Sequence, residues 1–132
     1  MNSKTLKLAF CKADFAYRAG INILTLSGEI DFFCYPALKK FLKFKLSSDA
    51  QPLVFDLSGV SFMDSTGGLR LLLEISDNVG RHRVALAGAN KHVANLIRSA
   101  NISPVTLCAD IPAAAATFRY RGLRERELKK SA

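Results

Sequence analysis

The chain has 132 residues, of which 49% are hydrophobic and 23% are charged. This size and balance are typical of one globular domain with its own core, and they exclude both a disordered tail and a small disulfide-stabilised protein. Nineteen basic residues against 11 acidic ones give a net charge of +8, so nucleic acid has to be considered as a partner.

The apolar runs of the chain are short. None approaches the ~20 residues of a transmembrane helix, and Lys4, Lys7 and Lys12 interrupt the amino-terminal stretch in which a signal peptide would be apolar. We therefore expect no membrane span and a cytoplasmic protein.

The cysteines and histidines give no sign of a metal site. Cys11, Cys34 and Cys108 form no CxxC pair, and the two histidines lie far from them in sequence. Zinc sites need clustered ligands at short spacings, so we predict no metal and interpret the cysteines as reduced, buried thiols.

The positive charge is unevenly distributed. Residues 119–132 hold six basic and two acidic side chains, which is half of the net charge. A second cluster comprises Lys39, Lys40, Lys43 and Lys45. Neither cluster has the pattern of an RNA-binding sheet or a helix-turn-helix. We predict a domain over residues 1–118, a basic C-terminal extension over residues 119–132, and no direct nucleic acid binding. Salt-sensitive binding of nucleic acid or an anionic membrane by the extension is kept as a minor hypothesis.

The first third of the chain predicts two strands and a helix. Thr5–Phe10 and Ile21–Ser27 have the composition of strands, and residues 18–20 can form a corner between them. Pro36 can occupy the first turn of a helix that runs to about Leu46.

The rest of the chain alternates strands with helices. Strands are predicted at Leu53–Leu57, Arg83–Ala87 and Pro104–Cys108, and helices from Thr66 to about Val79, from the N-cap Asn90 to about Ala100, and after Pro112. The order is β-β-α-β-α-β-α-β-α. It predicts an α/β fold in which helices cover a mixed or largely parallel sheet.

One segment, Asp64-Ser65-Thr66-Gly67-Gly68, joins a predicted strand directly to a predicted helix. The first N–H groups of a helix have no partner within it, so a carboxylate or hydroxyl is favoured at this position. Either Asp64 or Ser65 can supply it. A purely structural role as a helix cap is therefore one interpretation of the segment.

Catalytic motifs are not found in the sequence. The segment lacks the GxxxxGK[ST] of a phosphate-binding loop, the GxGxxG of a dinucleotide site and the GxSxG of a hydrolase. His82 and His92 lie beside basic residues, which is typical of surface positions. We predict no catalytic residue, no cofactor and no enzymatic activity.

The same segment carries a family resemblance. VFDLSGVSFMDSTGG, residues 54–68, resembles the STAS domain of bacterial anti-sigma factor antagonists. The family's other elements are matched in order by LSGEID at residues 26–31, by Pro36-Ala37-Leu38, and by VALAG and VANLI at residues 84–88 and 93–97. The resemblance covers about residues 5–118 and implies a STAS-like mixed β-sheet with helices.

The resemblance also implies a function. Ser65 matches the serine that an anti-sigma factor serine kinase phosphorylates in this family, with Thr66 as the second candidate. The unphosphorylated form binds the anti-sigma factor and thereby frees a sigma factor, and a PP2C-type phosphatase restores that form. Asp31 is expected near the acceptor loop. The residues expected to bind the partner are Asp31, Asp64, Ser65, Thr66, Gly67 and Gly68.

The sequence departs from the family pattern at one point. The usual continuation is Asp-Ser-Ser/Thr-Gly-Leu-Gly, whereas Gly68 here precedes Leu69. We expect the first helical turn to lose an apolar anchor, and glycine there costs about 1 kcal/mol of helix propensity relative to alanine. The departure leaves room for an alternative function, a STAS accessory subunit of a membrane transport or signalling complex without a phosphoswitch.

Overall fold

The strands form one mixed sheet. The computed structural model describes residues 4–46 and 51–119, and within them six strands pair in sequence order. The first three strands pair antiparallel with one another, and the third strand and the three after it pair parallel. The strands are β1 (Thr5–Lys7), β2 (Cys11–Arg18), β3 (Ile21–Ile30), β4 (Leu53–Met63), β5 (Val84–Ala87) and β6 (Thr106–Cys108).

Helices connect the parallel strands and follow the last one. They are α1 (Tyr35–Leu46), α2 (Arg70–Val79), α3 (Lys91–Arg98) and α4, residues 111–119. A π-helical turn, Ser65–Leu69, directly precedes α2. The mixed α/β class predicted from the sequence is confirmed. None of the described helices is long and apolar enough to cross a membrane.

The amino end contains one strand more than the sequence predicted. β2 alternates buried Cys11 and Ala13 with exposed Lys12, but its two alanines and Asp14 are poor strand formers, so its pattern is weak. The predicted strand Thr5–Phe10 is a strand only over Thr5–Lys7, and the corner predicted at residues 18–20 is present but joins β2 to β3. Ala19 and Gly20 have φ angles of 50° and 81°, as a tight hairpin turn between twisted strands requires.

Both faces of the sheet are covered. On one face, α1, α2 and α3 pack on the main core, to which α1 contributes the fully buried Leu38 and Leu42. On the other face, Ala114 of α4 packs against fully buried residues of the central strands, namely Val54, Ala85 and Ala87. Of the extension predicted for residues 119–132, only residue 119 belongs to the described part of the chain.

The unequal lengths of β4 and β5 determine where the segment Asp64–Gly68 lies. β5 pairs with β4 only as far as Asp56, whereas β4 continues to Met63 beside Ile30 of β3. β3 and β4 therefore end together beyond the neighbouring strand. The segments that follow them, residues 31–34 and 64–69, emerge side by side at the carboxyl edge of the sheet.

Candidate functional site

Asp64, and not Ser65, caps the helix that follows β4. Its Oδ1 atom accepts hydrogen bonds from the backbone N–H groups of Gly67 at 2.7 Å and Gly68 at 3.1 Å. Its Oδ2 atom accepts a third, from the N–H of Phe32 at 3.1 Å. One carboxylate therefore closes the turn and ties it to the segment that follows β3.

The turn itself is wider than an α-helical turn. The N–H of Leu69 donates to the carbonyl oxygen of Asp64, five residues earlier, at 2.9 Å, which inserts one residue relative to an α-helix. Leu69 is consequently buried in the main core, with 8% of its surface exposed. The expectation that the exchange of Gly68 and Leu69 removes an apolar anchor is wrong, because the π-helical turn brings Leu69 into the core.

Two glycines allow the turn to pack directly on the end of β3. A Cβ atom on Gly67 would lie 2.1 Å from the carbonyl carbon of Asp31, and one on Gly68 would lie 2.6 Å from the carbonyl oxygen of Ile30. No side chain fits at such distances unless the backbone moves. Both glycines are buried, so within the predicted binding set they determine the shape of the turn.

Ser65 and Thr66 belong to the same turn but contribute nothing to the cap. Both residues are exposed, and within residues 4–46 and 51–119 the Ser65 hydroxyl has no hydrogen-bond partner. Because Asp64 already caps the helix, the hydroxyl is not needed there. It is presented to solvent at a helix start, where the partial positive charge of the backbone favours an added anion.

Asp31 lies beside the turn, and its carboxylate caps a different helix start, that of α1. Its Oδ1 atom accepts hydrogen bonds from the N–H groups of Phe33 and Cys34, both at 3.0 Å, and its carbonyl oxygen accepts from Tyr35 at 3.2 Å. The carboxylate thus caps the first turn leading into α1. The site consists of two capped helix starts held together by backbone contacts.

Two phenylalanines that the sequence did not indicate as site residues, Phe32 and Phe33, lie in the segment that contacts this turn. Phe32 and Phe33 are 54% and 89% exposed, and their rings meet edge to face with centroids 5.9 Å apart. The sequence feature that could have revealed them is a pair of consecutive aromatic residues between a predicted strand and a predicted helix. Exposed aromatic side chains of this kind are typical of protein interfaces.

Two cysteines, Cys11 and Cys34, lie next to the site and have raised pKa values. Burial is the main cause that raises the pKa of Cys34 to about 12, and it also raises the pKa of Cys11. The Cys34 thiol lies 3.3 Å from the carbonyl oxygen of Asp31, and its sulfur accepts a hydrogen bond from the N–H of Asp31 at 3.2 Å. These contacts agree with a structural role for Cys11 and Cys34, because a nucleophilic cysteine needs a lowered pKa. Of the three thiols predicted to be buried, only Cys11 is buried, whereas Cys34 and Cys108 are partly exposed.

A charged cluster joins α1 to α2 next to the turn. The Glu74 carboxylate accepts hydrogen bonds from Lys39 at 2.7 Å, from Arg70 at 2.9 Å and from the Tyr35 hydroxyl. The Arg70 guanidinium also lies over the Tyr35 ring, 4.5 Å from its centroid. These donors, Lys39 first, lower the pKa of Glu74 to about 2. The cluster fixes α1 against α2.

The described residues assemble no group with metal-binding geometry. His82 and His92 are both exposed, as predicted. They lie at opposite ends of β5, and the His92 ring stacks on Phe62 with centroids 5.5 Å apart. The carboxyl edge of the sheet therefore exposes the hydroxyl groups of Ser65 and Thr66 and the rings of Phe32 and Phe33 to solvent.

Comparisons with known proteins agree with this description. The family model for the STAS domain matches residues 12–114. The anti-sigma-F factor antagonist RsfB of Mycobacterium tuberculosis is 34% identical over 62 residues, which are 47% of this chain and 50% of that protein. The chain thus spans about half the length of the curated relative that it matches.

Solved structures share the fold. An anti-sigma factor antagonist of Mycobacterium paratuberculosis superposes with a TM-score of 0.73 at 24% identity, over 83% of this chain and 94% of that one. The murine anion transporter Slc26a9 superposes with a TM-score of 0.65 at 21% identity, over 76% of this chain but only 18% of the transporter. The fold therefore occurs both as a small protein and as a module of a much larger one.

Proposed function

The chain belongs to the STAS domain family, and from this premise we propose that it is an anti-sigma factor antagonist whose partner binding is switched by phosphorylation of Ser65. The 34% identity to an anti-sigma-F factor antagonist over 62 residues supports the general role. The proposed partners are an anti-sigma factor serine kinase, which binds the unphosphorylated chain and modifies it, and a PP2C-type phosphatase. The proposed place of action is the cytoplasm.

The exposed Ser65 hydroxyl is the observation that carries the proposal. It stands on a turn whose shape depends on Asp64, Gly67 and Gly68, and it takes no part in the hydrogen bonds of that turn. A kinase can therefore modify Ser65 while the cap stays intact. Thr66, also exposed, is the second candidate acceptor.

A phosphate at this position changes the surface more than the fold. Phosphoserine carries a charge of about −1.5 to −2 at neutral pH, and the adjacent helix start tolerates it within the protein. A partner packed over Ser65 has to desolvate that charge or oppose it with a cation. The carboxylates of Asp31 and Asp64 already contribute negative charge close by. We infer that binding is lost by electrostatic and steric exclusion, without rearrangement of the domain.

The experiment uses the purified chain, ATP and the candidate anti-sigma factor kinase from the same genome. Mass spectrometry should locate one phosphate on Ser65, and Ser65→Ala should abolish its incorporation while Thr66→Ala retains it. Titration calorimetry should then show tight binding by Ser65→Ala and weak binding by Ser65→Asp. Equal affinity of these two variants for the kinase would contradict the switch.

The alternative function, an accessory subunit without a phosphoswitch, is supported by the presence of this fold in an anion transporter. It predicts that Ser65 stays unmodified in cells and that the chain co-purifies with transport subunits. Phosphopeptide mapping of the chain isolated from cells separates the two functions, because only the proposed antagonist carries phosphate at residue 65.

A further inference from the structure

The solvent-facing side of α1 carries an unusual set of side chains. Phe33, in the turn capped by Asp31, is 89% exposed, and Phe44 near the end of α1 is 66% exposed. Ala37 and Lys40 lie between them, and the spacings of four, three and four residues place these positions in one stripe along a helix. Lys43, also exposed, flanks the stripe. We refer to Phe33, Ala37, Lys40, Lys43 and Phe44 as the α1 outer face.

This face is positively charged as well as aromatic. α1 contains four lysines and no acidic residue. Lys39 is paired with Glu74, whereas Lys40 and Lys43 form no ion pair with the residues that the structure describes. The solvent face of a helix usually carries polar and charged side chains, and a phenylalanine that is almost fully exposed is typical of an interaction surface.

The α1 outer face is continuous with the Ser65 turn. Phe32, the neighbour of Phe33, donates its N–H to the carboxylate of Asp64, and Gly67 packs on the backbone of Asp31. These two contacts hold the segments after β3 and β4 against each other. A protein that covers Ser65 therefore lies against the amino end of the α1 outer face as well.

We propose that the α1 outer face is the second half of the partner interface, and that it binds an acidic surface of the protein that reads Ser65. An apolar pocket of the partner receives Phe33, and carboxylates of the partner oppose Lys40 and Lys43. This inference rests on the proposed function and adds the charge of the partner to it. Complementary charge of this kind accelerates association and selects partners.

The sign of the partner's charge explains why phosphate would be an effective release signal. A surface that carries carboxylates is attracted by the lysines of the α1 outer face. Phosphoserine adds about two negative charges at one end of the same interface. Attraction along α1 and repulsion at Ser65 then act on the same acidic surface. Both should weaken when salt screens the charges.

Calorimetric titration with the same candidate kinase tests the proposal. Lys40→Glu/Lys43→Glu should lower the affinity of the unphosphorylated chain at least about tenfold, and should flatten its dependence on salt between about 50 and 300 mM. Phe33→Ser should also lower the affinity about tenfold but leave the salt dependence unchanged. Circular dichroism should show an intact fold in each variant, since all three side chains are exposed.

Arg18→Glu/Arg98→Glu is the matched control. It makes the same change in net charge at two exposed positions outside the α1 outer face, at the end of β2 and at the end of α3. It should change the affinity less than about twofold, because the effect of charges outside the interface is screened. Equal losses in the two double variants would overturn the proposal, because they would indicate a response to total charge.

Two further outcomes separate the proposed docking face from the proposed phosphorylation switch. Kinase binding that is weakened by Ser65→Asp but unaffected by Lys40→Glu/Lys43→Glu would refute the docking face and leave the switch intact. Equal binding of Ser65→Ala and Ser65→Asp, with a loss in the lysine variant, would refute the switch and leave the docking face intact. Sedimentation with vesicles of phosphatidylglycerol and phosphatidylcholine tests whether the α1 outer face binds an anionic membrane instead of a protein. Lysine-dependent binding there, without an effect on the kinase, would overturn the proposal.

Discussion

Replacing Asp64 with alanine should destabilise the domain, because its carboxylate holds the Ser65 turn. The variant loses three acceptor contacts, to Gly67, Gly68 and Phe32. Loss of a helix cap costs about 0.5–2 kcal/mol, and a hydrogen bond to a charged group contributes about 1.5–3 kcal/mol. The two contributions overlap, so we expect a loss of about 2–4 kcal/mol in the free energy of unfolding.

The measurement is urea unfolding followed by circular dichroism. A domain of this size has a slope of about 1–3 kcal/mol per molar urea, so the midpoint should fall by about 1–2 M. Asp64→Asn retains one carbonyl oxygen and should lose roughly half as much. Asp31→Ala should cost only about 1 kcal/mol, because Asp31 caps a single helix start.

Ser65→Ala is the reference for this series, since its hydroxyl stabilises nothing in the described structure. It should unfold within about 0.5 kcal/mol of the unsubstituted chain, as exposed substitutions usually do. If Asp64→Ala unfolded at the same urea concentration as Ser65→Ala, the carboxylate could not be the element that holds the turn to β3. The explanation of a rigid Ser65 turn would then fail.

Three other predictions concern the frame around the site. Leu69→Ala should cost about 2–4 kcal/mol in urea unfolding because the side chain is buried, and a loss below about 1 kcal/mol would contradict the anchoring role of the π-helical turn. Asn90 accepts from Val93 and donates to Val60, so Asn90→Asp, which keeps the cap but loses the donor, should unfold between the unsubstituted chain and Asn90→Ala. The pKa of Glu74 is lowered from 4.5 to about 2, so its contribution is complete above pH 4.5 and is lost as the pH falls towards 2. Glu74→Gln should therefore be less stable by about 0.5–1 kcal/mol at pH 7. The difference should shrink across that window, and a constant difference would refute the assignment.

Much of the fold was predictable because the relevant signals are local. Asn90 caps α3 as predicted, and the apolar run at residues 53–57 forms a central strand covered on both faces. The end of β4 was not predictable, because Ser58 and Gly59 look like the start of a loop. The strand continues because Gly59 and the residues after it pair with β3 beyond a register shift at Ser58, and this pairing is a long-range contact.

The site was only partly predictable for a related reason. The sequence left Asp64 and Ser65 as equal candidates for the cap, and only the three hydrogen bonds of Asp64 distinguish them. The π-helical turn could not be deduced either, because Gly68 and Leu69 are compatible with an ordinary α-helix. Phe33 was missed because its exposure depends on how the turn after β3 is oriented.

The close packing of Gly67 and Gly68 on β3 has a consequence for how such proteins diversify. The two glycines that pack the turn against β3 are buried, whereas Ser65, Thr66 and Phe33 are exposed. After gene duplication, a copy can therefore exchange its exposed residues and acquire a different partner without losing stability. The buried glycines can change only together with the backbone that they touch. The positions that preserve the fold and the positions that can change the binding surface therefore differ, although they lie within a few residues of each other.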